Sequence, residues 1–148
     1  CGLHVSNRLG LPLYFQCTTS VRPNRTQEIL YGPTLSPFLY ADLIGKTLLE
    51  RLQVKPHLLV VDQPELLELR AQVDLPVACL ILDANTPRDL PDQTRIALGS
   101  RSVRFHPDHP EDIETVREQS RLVPADADTA EPVDRVREAL QEALKGAA

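Results

Sequence analysis

Two aspartates close apolar runs that read as neighbouring strands: Asp62 follows His57-Leu58-Leu59-Val60-Val61, and Asp83 follows Val77-Ala78-Cys79-Leu80-Ile81-Leu82. Carboxylates at adjacent strand ends are donors that Mg²⁺ accepts, with waters and a phosphate completing the shell. In an open parallel sheet, ligands also collect in the crevice beyond the carboxyl ends of the strands. Asp62 and Asp83 are therefore the candidate metal ligands. The competing use of each is local, because a strand-end aspartate also caps the turn or helix that follows, and Pro64 stands where a first-turn proline would.

A second candidate is cationic. Arg22 and Arg25, with Arg8, Tyr14 and Tyr31 near in sequence, are the residue types of an anion or RNA contact, although no regular stacking pattern accompanies them. His106 and His109, with Asp108 and Glu111 beside them, offer metal-type side chains in a proline-flanked turn but no second ligand pair, so a solvated turn is expected there. Cys1, Cys17 and Cys79 are odd in number and lack metal spacing, and Cys79 falls in a buried run. They suit a reducing, cytoplasmic setting.

The elements that must position these residues are legible in outline. The stretch 55–82 reads as strand, short helix and strand, its two apolar runs lacking the alternation of a half-exposed strand; two parallel neighbours follow. Residues 3–18 read as a hairpin turning at Asn7-Arg8-Leu9-Gly10, with Leu3, Val5, Leu13, Phe15 and Cys17 forming one apolar face. Asn24 caps a short helix from Arg25 to Tyr31 that Gly32-Pro33 ends. Ser36 is the candidate cap of a longer helix, Phe38 to Leu52, laid on the sheet by Phe38, Leu39, Leu43, Ile44, Leu48, Leu49 and Leu52, with Gly45 permitting close packing on a strand. Thr94–Leu98 and Ser102–His106 flank Gly99-Ser100 as two further strands, and 110–119 reads as a helix. Residues 122–131 have the composition of a linker between a domain over 1–121 and a C-terminal amphipathic helix over 132–148. Val133, Val136, Leu140 and Leu144 stripe that helix and are its candidate partner-binding residues.

Parts of the chain resemble four known families. Leu59-Val60-Val61-Asp62 and Leu80-Ile81-Leu82-Asp83 are similar to strand ends of response-regulator receivers, without the strand and helix between them or the acidic pair. Tyr31-Gly32-Pro33 through Asp62, after a hairpin, resembles endonuclease V. That resemblance implies a ribonuclease-H-like fold, but the acid of the first strand, the glutamate after the Tyr-Pro segment and the glycine after the aspartate are missing. Cys1-Gly2 resembles the mature start of class II glutamine amidotransferases, where the α-amine activates the thiol; nothing downstream matches, and a chain boundary is the expected reason for Cys1. His106-Pro107-Asp108 is the tripeptide of J-domain co-chaperones, outside their helical setting.

A net charge of −5 conceals a mildly basic front: residues 1–60 hold six Lys/Arg against three acids, and residues 61–148 ten against eighteen. An acidic total argues against a dedicated nucleic-acid binder. No run approaches the roughly 18 apolar residues of a membrane span, so no membrane partner is expected. The fold class expected is α/β: a mixed sheet with an N-terminal antiparallel hairpin and a parallel strand–helix–strand unit, covered by helices. With no nucleophile–base pair, phosphate loop or multi-ligand metal set readable, the functional expectation is a non-catalytic protein-binding or assembly module without a cofactor, its partner another protein or a second copy. The alternative is a Mg²⁺-dependent hydrolase or nuclease-like enzyme with Asp62 and Asp83 as its ligands and Arg22 or Arg25 on phosphate.

Overall fold

The computed structural model describes residues 1–19, 21–82 and 94–146. The chain is mixed α/β with two sheets. Strands β1 (Gly2–Ser6) and β2 (Pro12–Cys17) form a two-stranded antiparallel hairpin of their own, while β3 (Leu59–Val61), β4 (Val77–Leu80), β5 (Arg95–Leu98) and β6 (Arg101–Phe105) form a sheet in the order β3-β4-β6-β5. The parallel pair is as expected, Leu59 opposite Val77 and Val61 opposite Cys79. A 3-10 helix, Pro64–Ala71, carries the crossover, burying Leu67 and Leu69. The turn of β5 into β6 places Gly99 at φ 60, where a side chain is disfavoured and glycine is not.

Each face of the larger sheet has its own core. Ala78, Leu80, Leu98, Val103 and Phe105 meet Ile113 and Val116 of helix α4 (Glu111–Ser120), together with Ala130 and Val133 at the start of helix α5 (Glu131–Gly146). On the opposite face Leu59, Val61, Val77 and Cys79 meet Leu67, Leu69 and Ala41, and Leu3 of β1 joins them from the hairpin. A buried ion pair ties elements from the two sides together. Arg70 of the 3-10 helix donates to both carboxylate oxygens of Asp112 in α4, at 2.7 and 3.1 Å, and also to the Val73 carbonyl at 3.0 Å.

The first short helix, α1 (Arg25–Tyr31), is capped as its sequence implies. The Asn24 side chain accepts from Gln27 N while the Gln27 side chain accepts from Asn24 N, and Gly32 ends the helix at φ 50. The longer helix differs from expectation. Helical structure starts earlier, running through a 3-10 turn (Gly32–Thr34) and helix α2 (Leu35–Pro37), so Ser36 lies within it and makes no cap. Its middle, Phe38–Gly45, is a π-helix, and helix α3 (Lys46–Glu50) completes it. The wider π-turns add a residue per turn and rotate the stripe. Ala41, Ile44, Gly45 and Leu48 are buried, whereas Leu43, read as inward-facing on ordinary helical spacing, is exposed. Gly45 does permit a close approach, but to the 3-10 helix and not to a strand: a Cβ there would stand 2.7 Å from Leu69 Cδ1.

The N-terminal hairpin also corrects its expected faces. Leu3 is opposite Gln16 and Val5 opposite Tyr14, so Leu3 and Val5 share a face with Tyr14 and Gln16; Phe15 and Cys17 lie on the other face with His4 and Gly2. The turn decides this. Asn7 Oδ1 accepts from the N–H groups of Leu9 and Leu11, and Asn7 N donates to the Leu11 carbonyl, which together with a bulge between Val5 and Ser6 sets the register. The Leu3 face packs inward, with the Gln16 amide donating to the Leu48 carbonyl.

Candidate functional site

The C-terminal helix lies across the hairpin and reaches both sheets. A Cβ on Gly2 would stand 2.8 Å from Val136 Cγ1 and 3.1 Å from Leu140 Cγ, so glycine lets helix and strand touch. Arg135 donates to the Gly10 carbonyl of the hairpin turn at 3.2 Å and pairs with Glu131 at 2.7 Å. Arg137 donates to Asp62 at the end of β3 at 2.8 Å, and to Asp134 at 2.6 Å. The segment before the helix is pinned as well: Ser100 N donates to the Ala127 carbonyl, Thr129 Oγ1 donates to the Leu98 carbonyl, and Arg101 meets Asp128 at 2.9 and 3.1 Å.

These contacts settle where the sequence-derived residues stand. Asp62 faces the Arg137 guanidinium, whose pKa that hydrogen bond pushes up, so a cation at Asp62 would have to displace an ion pair already made. Asp83 lies outside the described residues, and among those residues no group of three metal-binding side chains comes together. Arg25 pairs with Glu28 one turn on at 3.0 Å, and Arg22 is exposed in the segment preceding α1. Of the helix stripe, Val133 packs on the sheet core, Val136 and Leu140 meet Gly2, and Leu144 is exposed.

The histidine turn is more ordered than a solvated loop. His106 is buried just past the end of β6, its Nδ1 accepts from Asp108 N at 3.2 Å, and its Nε2 lies 3.7 Å from Glu68. His109 is 2.9 Å from Glu111, and this contact holds the Glu111 carboxyl below its ordinary value. The turn joins a strand to the start of α4, an arrangement unlike two long helices. Cys79, wholly buried, has its thiol pushed up by burial.

What residue-level chemistry does not reveal is the outer surface of β2. Leu9, Leu11, Leu13 and Phe15 are 71, 58, 57 and 40 % exposed. Beside them an open cleft of about 390 Å³ runs between the hairpin and α5, lined by His4, Pro12 and Phe15 on one side and Arg135, Val136 and Ala139 on the other. Burial, followed by the Arg135 charge, pushes the His4 imidazole below its ordinary value. Among the described residues β2 pairs with β1 alone, leaving the backbone groups of its outer edge without a strand. The sequence did carry the signal, since β2 and its turn hold apolar residues at odd positions from 9 to 15. No family model, curated protein or solved structure matches this chain.

Proposed function

We propose that the chain is a non-catalytic protein-binding or assembly module, acting in a reducing, cytoplasmic setting, and that its contact surface is the exposed strand β2. The observation that carries this reading is the exposed pair Leu13 and Phe15 on a strand with an open edge, continued by exposed Leu9 and Leu11 of the turn that leads into it. Sheet edges of this kind are normally blunted by charge, and β2 (Pro12–Cys17) contains none; its one proline is the first residue. A second copy is the occupant favoured. Two uncharged strands meeting antiparallel bring no like charges together, and each would complete the other's open hydrogen-bonding edge.

The size of the surface sets the strength. Four side chains at these exposures present on the order of 400 Å² of apolar area, against the roughly 800 Å² per partner of a standard stable interface. The association is therefore weak and concentration-dependent. Sedimentation velocity from about 10 µM to about 1 mM spans the range in which such contacts form. The mass of the wild-type chain should climb towards the dimer while Leu11→Lys/Leu13→Lys stays monomeric with an unchanged circular dichroism spectrum. A wild-type chain that remains monomeric throughout removes self-association, and a variant that dimerises equally well removes β2 as the surface.

A further inference from the structure

Three arginines stand on the β5–β6 hairpin, and their partners differ. Arg101 has Asp128, bound through two of its nitrogens. Arg95 and Arg104 lie directly opposite one another across the two strands, and neither has a carboxylate within ion-pair distance among the described residues. Like charges in direct cross-strand register repel. Arg104 is moreover only 8 % exposed. Its neighbour on the next strand is Cys79, in register with it, and a thiol is a weak, uncharged acceptor. Of the acids near that thiol or on the 3-10 helix, Asp62 pairs with Arg137, Glu68 lies 3.7 Å from His106, and Glu65 is in no ion pair among the described residues. Ser102 adds a hydroxyl, accepting from Arg95 at 3.4 Å.

A buried guanidinium without a counter-charge costs several times what a surface charge does, and here a second guanidinium is placed beside it. Such an arrangement is stabilised by an anion that both can hold, and the planar fork of arginine matches a phosphate's oxygens. We propose that Arg95, Ser102 and Arg104 form a phosphate-binding site on the sheet face opposite α4, taking free phosphate or a small phosphate monoester. The site is distinct from β2. In a chain of net charge −5, anions are repelled in general, so any tight binding must be local.

Thermal unfolding followed against inorganic phosphate, and separately against a nucleoside monophosphate, tests this, with sodium chloride holding ionic strength constant. For the wild-type chain we expect a saturable rise in midpoint, half complete at about 1 mM or below. A response to the monophosphate alone assigns the site to an esterified ligand, and one to inorganic phosphate assigns it to the free ion. Arg104→Met should lose at least nine-tenths of the response while its midpoint without phosphate equals or exceeds that of the wild type. Arg95→Gln, an exposed change that leaves folding intact, should weaken the response about tenfold. A flat wild-type titration, or a full response retained in Arg95→Gln or Arg104→Met, overturns the proposal, as does an Arg104→Met chain less stable than wild type without phosphate.

Discussion

Removing the negative half of the Arg70–Asp112 pair is the sharpest test of how the two faces are held together. The side chains are 13 and 3 % exposed, the geometry is bidentate at 2.7 and 3.1 Å, and a third bond runs from Arg70 to the Val73 carbonyl. Asp112→Asn keeps the shape but removes the charge, leaving Arg70 buried with the exposed Glu111, 3.5 Å away, as its remaining ion-pair partner among the described residues and Asp74 acting from further off. An uncompensated buried charge costs about 3–5 kcal/mol, a large part of the roughly 5–15 kcal/mol by which domains of this size are stable. Urea unfolding at pH 7 should show that loss at unchanged slope. The paired replacement Arg70→Met/Asp112→Leu should recover most of it, since desolvating two charges is no longer required. A loss below about 1 kcal/mol for Asp112→Asn, or a double variant as unstable as the single one, would refute the reasoning, because neither fits a pair whose value lies in mutual compensation.

Two further predictions concern the turn at Gly99 and the hairpin cleft. Gly99→Ala should cost at least about 2 kcal/mol in the same assay, because the residue sits at φ 60 and a Cβ there would run into the Ala127 carbonyl that Ser100 N uses. His4 has a folded-state pKa below its ordinary 6.5 through burial and the nearby Arg135 charge, so the unfolded chain takes up the proton first as pH falls. Its contribution is intact above 6.5 and is lost as pH drops below that value towards the folded pKa; melting curves between pH 7.5 and about 5 should fall more steeply for wild type than for His4→Gln. Equal slopes would show that the cleft does not hold His4 neutral.

Local signals were legible wherever one stretch of chain determines its own geometry. The Asn24 cap, the glycine end of α1 and the β5–β6 turn at Gly99 depend on residues within a few positions of each other, and each was readable. The parallel pair was readable too, because two unbroken apolar runs joined by a crossover have few other arrangements. The candidate site was less so. Alternation in β2 marks Leu13 and Phe15 as facing one way but cannot say whether that way is inward, and the answer came from the Asn7 turn and the bulge beside Ser6. The stripe of the Phe38–Leu52 stretch was read at the ordinary helical period, and π-turns, which leave no compositional mark, rotated it.

The sequence by itself determined which segments would be strands and helices, where most of them stop, and that the chain is acidic, of mixed α/β class and without a long apolar run. Those properties follow from side-chain pattern and backbone permissiveness within a short window. Tertiary structure alone decided the rest. It set Arg137 against Asp62 across 75 positions of sequence, Val136 and Leu140 against Gly2, and Arg104 beside Cys79 and opposite Arg95. The reason is physical: an ion pair, a close contact or an unanswered charge is a relation between distant segments, and its energy depends on distance and burial that no local pattern encodes.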